Sequence, residues 1–453
     1  MISMPARELR RGRRTPQAAR IWAATQQAAS AAPSAGHPLA DAALAAALSR
    51  RAAEIEAAFA APQPAAQEIP ALRALAYAHG VLDTFAGLIG RGFDRNVANL
   101  SEGEPAAELI ARWGFHAVDI TPCADGRLAG LVDYILRVPP AVVAYRKSYA
   151  GAMFDVEESV RHWESVELRR WREAKPNAAD APTRFLKIGV YHFSGADPDR
   201  EGCAAHGHDA TRAAAALQRR LEEFARAVEA THCCGASVAT LLIGVDTDTD
   251  AIRVHVPDAA GRTDVARFVD NAALYETTRP LERDAAKEAV RAAVAACAGV
   301  PTGDPASEGM RWFCGYLLKN NLGQVDAVRA AHRGGYAERG HTERLMVVGD
   351  AVDDVQLRNL AFQAQMETVE ENTFALDVGV RILRGLHEPR GLAIPLLVHF
   401  AYDERIPGAY ERACVRARRL RAAILERFAQ LAGDGLLYVR SLVRAGDRME
   451  FVA

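Results

Sequence analysis

The sequence has no long apolar run, almost no net charge and few cysteines, and each shortage closes off a class of protein. No apolar stretch in the 453 residues reaches the roughly 18 that a membrane-spanning helix needs. Against 57 Asp and Glu stand 55 Lys and Arg, a net charge of −2, so net positive charge does not hold this chain on nucleic acid. Seven cysteines in so long a chain are an odd and sparse set, unlike the dense framework of a small secreted scaffold. Gly and Pro, at 34 and 21, are too ordinary for a collagen-like or wholly disordered chain. No apolar segment follows the arginines of the first 20 residues, as a signal peptide requires, nor does one follow Arg13-Arg14, as a twin-arginine signal requires. The first 60 residues are rich in Ala and Arg and poor in acids, a trait shared with transit peptides. The expectation is nonetheless an intracellular protein with mostly reduced thiols, in which a few cysteines can serve as metal ligands.

What is present is ordinary in amount, with 50% hydrophobic and 25% charged residues, and informative in order. At roughly 150 residues per domain the length predicts about three domains. Residues 1–38 read as a flexible basic arm, with Arg7, Arg10, Arg11, Arg13, Arg14 and Arg20 set among Ala, Gln, Ser and Pro. Residues 39–100 read as a helical N-terminal domain: Leu44, Leu48, Ile55 and Phe59 recur at helical spacing, and a second helical segment runs from 69 to 89. Residues 101–345 read as an α/β domain, with strands at 116–121, 185–193, 238–245 and 252–256. A helix over 209–230, capped by Asp209, carries Leu217, Leu221, Phe224 and Val228 on one stripe. Residues 346–453 open on a β-type run at 345–349, hold an amphipathic helix over 408–431, and end on strands at 436–443 and 449–452. Val398-His-Phe400 echoes Tyr191-His-Phe193, and Leu376-Asp-Val-Gly-Val-Arg381 weakly echoes Val118-Asp-Ile-Thr-Pro-Cys123. These echoes suggest a degenerate internal duplication in which the cysteine position is lost.

The segment richest in chemistry is Cys123-Ala-Asp125-Gly-Arg127, placed where a short strand ends. Open α/β sheets bind ligands at the carboxyl ends of their strands. A thiolate there can bind zinc, and Arg127 can fork onto Asp125 and keep that carboxylate ionised. For a random Cys-x-Asp-x-Arg, a tight loop with a buried Cys and a surface ion pair is the commoner meaning. Further donors are on offer in His192, Cys203, His206-Gly-His208 and His232-Cys233-Cys234, and spacing alone does not choose among them. Asp246-Thr-Asp-Thr-Asp250 lacks the glycine and distal glutamate of an EF-hand and reads as a polar turn between strands. Cys297, Cys314 and Cys414 stand alone in helical surroundings and read as core thiols.

Cys123-Ala-Asp125-Gly-Arg127 resembles the Cys-x-Asp-x-Arg motif of β-class carbonic anhydrases. The ordinary β-class His-x-x-Cys is missing, and the wider His192 to Cys203 spacing is similar to the divergent carboxysome shell carbonic anhydrases. Further stretches resemble that family: Ala150-Gly-Ala-Met-Phe-Asp-Val-Glu157, Gly202-Cys-Ala-Ala-His-Gly207, Cys233-Cys-Gly-Ala-Ser237, Leu242 through Asp246 to His255, and Leu376-Asp-Val-Gly-Val380. The similarity runs from about residue 40 to the C-terminus. It implies a helical N-terminal domain, a β-carbonic-anhydrase-like α/β domain, and a C-terminal α/β pseudo-repeat without the metal.

The resemblance also implies site roles. Cys123, His192 and Cys203 match the ligands of one Zn²⁺ per chain, and Asp125 with Arg127 matches the catalytic dyad. Two thiolates and an imidazole leave an open position for water; Asp125 would accept a proton there, and Arg127 would keep Asp125 from closing it. His341 is the weakly preferred further active-site residue, with His206 and His208 as other proton relays. The implied substrates are bicarbonate and CO2, interconverted inside the carboxysome, a bacterial microcompartment, to supply Rubisco. The expected partners are a second copy, as a homodimer or higher oligomer, and Rubisco or shell proteins through the N-terminal arm, with neither nucleic acid nor membrane. One competing reading is a shell-associated scaffold whose zinc is structural and closed by Cys233 or Cys234. Another, a zinc hydrolase, is weaker because no His-Glu-x-x-His occurs. A basic arm on an acidic surface binds in a salt-dependent way. Deletion of residues 1–35 should therefore leave CO2 hydration intact and reduce packaging, as read by the fraction recovered in purified carboxysomes.

Overall fold

Apolar runs alternating with amphipathic helices build two α/β sheets, each in its own unit. The computed structural model describes residues 78, 81 and 82, and then residues 105–452 apart from 129, 140–141, 176–182, 232–237, 300–304, 332–334, 336–344, 351–359, 364–372, 374–375, 389–391 and 447. Two compact units divide the chain: residues 94–341 form one, and residues 342–453 group with residues 1–93 in the other. The arm over 1–38, nearly all of the helical region over 39–100, and His341 lie outside the described residues. Ala78, which is described, packs on Ala393. No described helix is long and apolar enough to cross a membrane.

In the first unit, six strands lie in the order β2-β1-β3-β4-β5-β6. They are β1 (Phe115–Pro122), β2 (Val143–Arg146), β3 (Arg184–Phe193), β4 (Val238–Asp246), β5 (Ile252–His255) and β6 (Val269–Asp270). The first four are mutually parallel, and β5 and β6 are antiparallel additions. After its first residue β3 is buried throughout, as befits a central parallel strand covered on both faces. The helices are α1 (Ala106–Arg112), α2 (Val156–Arg172), α3 (Ala210–Thr231), α4 (Asn271–Thr278), α5 (Arg283–Ala298) and α6 (Pro305–Ala331). The expected α3 stripe of Leu217, Leu221, Phe224 and Val228 is buried, and Asp209 Oδ1 accepts the Arg212 N–H at 3.0 Å as its cap. Asp246 to Asp250 forms the polar turn between β4 and β5, and Cys297, Cys314 and Cys414 are buried helical thiols.

Registered neighbours on β1 and β3 carry a buried ion pair. Lys187 Nζ lies 3.1 and 3.0 Å from the two oxygens of Asp119 and donates to Ser159 Oγ at 3.3 Å. Burial pulls the Lys187 ammonium below its ordinary pKa, with Asp119 opposing that shift.

The second unit has the order β11-β10-β9-β7-β8, with β7 (Met346–Gly349), β8 (Leu360–Gln363), β9 (Ile394–Ala401), β10 (Leu437–Ala445) and β11 (Arg448–Val452). Its first four strands by number are parallel and β11 is antiparallel. This is the order and direction of β5-β4-β3-β1-β2 in the first unit. The helices here are α7 (Leu376–His387), α8 (Ala409–Arg427) and α9 (Ala429–Gly433). The echo of Cys123's strand expected at 376–381 is corrected by the structure, because those residues are helical. Leu376, Val380, Leu383 and His387 are buried side chains on one helix face, at intervals of four, three and four. By strand order, the counterpart of β1 is β7.

Close approach of α1 to α6 rests on one glycine. A Cβ at Gly309 would lie 2.0 Å from the Trp113 carbonyl oxygen at the end of α1, whereas one at Gly315 on the same helix meets nothing within 4 Å. Gly309→Ala should therefore lower the unfolding free energy by about 1–3 kcal/mol, and Gly315→Ala should raise it by about 0.5–1 kcal/mol, both measured by urea denaturation.

Candidate metal centre

Pro122 has no N–H to continue a ladder, and β1 ends there. The chain is then held on both sides: the Cys123 N–H donates to the Val190 carbonyl at 2.9 Å, and the Ala124 N–H to the Tyr149 carbonyl at 2.9 Å. A 3₁₀ turn, Gly126–Leu128, follows at once, closed by Leu128 N–H to the Asp125 carbonyl at 3.0 Å. The sequence Cys-x-Asp-x-Arg thus becomes a buried hairpin of polar groups at the carboxyl edge of the sheet. His192 stands at the same edge, one residue before the end of β3. Cys203 opens the 3₁₀ turn Ala204–His206 in the loop that leads to α3.

That loop is wound tightly around Cys203. The N–H groups of His206 and His208 both donate to the Cys203 carbonyl, at 3.0 and 2.9 Å. His208 has a left-handed backbone, and its Nδ1 donates to the Gly202 carbonyl at 3.0 Å. A Cβ at Gly202 would come within 2.4 Å of the His208 carbonyl oxygen, so only glycine fits beside the cysteine. His206 Nε2 donates to the Gly151 carbonyl at 3.1 Å.

These segments bring Cys123, His192 and Cys203 together. One donor atom from each lies within 4.8 Å of the others, all three side chains are buried, and no other such cluster occurs among the described residues. The Cys123 and Cys203 sulfurs are 3.8 Å apart. Two sulfurs each about 2.3 Å from one tetrahedral ion would be separated by about 3.8 Å. Both ring nitrogens of His192 are buried and lack a well-aligned hydrogen-bond partner, their polar neighbours being Asp125, 3.2 Å from Nε2, and the Cys123 sulfur, an arrangement suited to an imidazole that gives a lone pair to a cation. The donor set therefore fits a thiophilic dication. Cys233 and Cys234 lie outside the described residues.

Beside the donors, Asp125 receives three N–H groups from Arg127. Oδ1 accepts the backbone N–H and Nε, each at 2.9 Å, and Oδ2 accepts Nη2 at 2.7 Å. Oδ2 is also 3.2 Å from His192 Nε2. Burial pushes the Asp125 carboxyl up, but the Arg127 charge and hydrogen bonds, with His192, outweigh it and hold the group well below the usual carboxylate range. Burial alone would lower the His192 pKa; the negative Asp125 and Cys123 raise it instead. The two thiols share one problem. Hydrogen bonding to Cys203 and burial push Cys123 far up, while Cys203 is lowered chiefly by that same bond and also by the N–H groups of Ala205 and His206. Without a cation, one sulfur ionises and the other keeps the proton.

One neighbour escaped the sequence reading. Glu201, two residues before Cys203, places Oε2 3.8 Å from Arg127 Nη1. Its signal was the mirror of the first motif, an acid two residues from a cysteine. His206 and His208 lie in the Cys203 loop, each with one ring nitrogen committed to a backbone carbonyl.

With this geometry in hand, the relatives are informative. Residues 105–341 match the family model described as carboxysome shell carbonic anhydrase, catalytic domain, and residues 342–453 match that described as carboxysome shell carbonic anhydrase, C-terminal. The carboxysome shell carbonic anhydrase of Halothiobacillus neapolitanus is 50% identical over 364 residues, which span 78% of this chain and 70% of that protein. Those of Prochlorococcus marinus strain MIT 9313 and Hydrogenovibrio crunogenus are 46% and 42% identical, over 74% and 75% of this chain and 65% and 64% of theirs. On two adjoining family matches and this identity, the chain belongs to the carboxysome shell carbonic anhydrase family.

Proposed function

We propose that the carbonic anhydrase activity which family membership gives this chain runs on one Zn²⁺ held by Cys123, His192 and Cys203, interconverting CO2 and bicarbonate inside the carboxysome. The observation that carries this reading is the convergence of two sulfurs 3.8 Å apart with a buried imidazole that lacks a well-aligned hydrogen-bond partner. When bound, zinc supplies the Lewis acidity that makes water a nucleophile near neutral pH.

The rest is done by this chain's side chains. Arg127 saturates Asp125 Oδ1 with two N–H groups and gives Oδ2 only one. Oδ2 thus keeps a lone pair beside the donor set, where it accepts a hydrogen bond from the attacking water and turns the water's own lone pair toward CO2. Because Arg127 keeps Asp125 acidic, the carboxylate orients the water and does not store its proton. Arg127 also restrains Asp125 from becoming a further metal ligand, which would close the site. We assign proton release to His341, as the family resemblance favours, with His206 and His208 of the Cys203 loop as the other relays.

The second sheet reads as a copy of the first with no cluster of metal donors among its described residues. Asp350 follows β7 where Cys123 follows β1, and both donate their N–H to the neighbouring strand, Asp350 to the His399 carbonyl at 2.9 Å. His399 Nδ1 donates to the Asp350 carbonyl at 2.6 Å, and Cys414, the one cysteine after residue 341, lies within α8. Delivery of CO2 to Rubisco, self-association and docking by the basic arm complete the proposal.

The purified chain should contain one zinc per chain by elemental analysis and hydrate CO2 in a stopped-flow assay. Cys123→Ser should lose both metal and activity. Asp125→Ala should keep its metal while kcat falls about 10²-fold, the size of losing the group that positions the attacking water. Full activity in either variant, or wild type without zinc, would sink the assignment.

A further inference from the structure

Arg127 reaches Asp125 from within the same turn, and that geometry spends one edge of its guanidinium. Nε and Nη2 face the carboxylate, so Nη1 is directed away from it. Among the described residues, Glu201 is the one other carboxylate paired with this group, with Oε2 3.8 Å from Nη1. The two side chains are 3% and 18% exposed, so solvent screens the pair only in part. Glu201 is itself held in place: its N–H donates to the Asp197 carbonyl at 2.9 Å, and the next two residues, Gly202 and Cys203, are fixed by His208.

We propose that Glu201 is a positioning residue, which anchors the far end of Arg127 and so couples the Cys203 loop to the orientation of Asp125. A guanidinium hydrogen-bonded at one edge and drawn by a carboxylate 3.8 Å from the other is restrained from swinging, which favours one placement of Asp125 Oδ2 relative to the metal donors. Positioning of this kind changes the turnover step more than substrate binding, because the misplacement is felt at the reacting atoms.

This inference rests on the function proposed above. Kinetics, zinc content and the visible spectrum of the cobalt(II)-loaded chain should be measured for wild type, Glu201→Gln and Glu201→Asp. Glu201→Gln should lower kcat about tenfold with KM within about twofold and zinc content unchanged, a size typical of losing an outer support to a metal site. Its cobalt spectrum should shift as Asp125 gains freedom near the metal. Glu201→Asp, whose charge sits one methylene short, should fall between the two. Wild-type kcat in Glu201→Gln would overturn the inference, as would a loss of activity that only tracks lost metal. A wild type that binds zinc yet fails to hydrate CO2 would instead overturn the function reading.

Discussion

Two buried sulfurs 3.8 Å apart set the terms for everything around them. In a low-dielectric interior two thiolates at that distance repel strongly, and only one ionises unless a cation lies between them. The donors come from residues 123, 192 and 203, so the cluster exists only once β1, β3 and the loop before α3 are in register. An unfolded chain has no such site, and metal affinity is therefore tied to folding. The parallel core supplies the frame, because β1 and β3 deliver both of their donors to the same sheet edge.

Two ion pairs along β1 show how differently the same chemistry can be used. Asp119 pairs with Lys187 directly across the sheet, both fully buried, and touches none of the metal donors. Taking such a pair out of water costs much of what its attraction returns, so it marks strand register more than it adds stability. Asp125 pairs with Arg127 two residues away, in a turn that forms locally. Its long-range contact is to His192 Nε2, at 3.2 Å. One pair faces another strand and the other faces the chemistry. The five residues between Asp119 and Asp125 carry the chain from core to site.

Much of this was legible in the sequence, for definable reasons. β1, β3, β4 and β5 announced themselves because central strands buried on both faces read as unbroken apolar runs. The α3 stripe did so because one helical face alone is buried. The four-residue strands β2, Val143-Ala-Tyr-Arg146, and β8, Leu360-Ala-Phe-Gln363, were missed, since neither has the β-branched pair that marked the equally short β7, Met346-Val-Val-Gly349. The weak echo of Val118 to Cys123 at 376–381 was a likeness of residues and not of structure, because burial there follows Leu376, Val380 and Leu383 on one helix face. At the site, Cys123, Asp125 and Arg127 were readable as a local motif. His192 and Cys203 were only candidates among several until family resemblance selected them. Glu201 was missed, because the acid two residues before Cys203 gains its meaning only from a contact across 74 positions of sequence.

The second sheet shows why a fold can outlive its site. The apolar strand interiors that build β7, β9 and β10 are buried as their counterparts are, and they alone dictate strand order. The candidate donors lie at or just beyond the strand ends, His192 being one residue inside β3, where a change of side chain leaves most of that packing intact. The position after β7 illustrates the exchange. Asp350 sends Oδ1 to the Ala401 N–H at 2.5 Å and Oδ2 to Arg416 at 3.3 Å, tying the end of β7 to the end of β9 and to α8. Burial raises its pKa, and these two donors act against that rise. The position that holds Cys123, a candidate metal donor, after β1 holds after β7 an Asp350 that ties strands together. On the proposed reading, exchanging such a donor removes the chemistry and leaves the architecture standing.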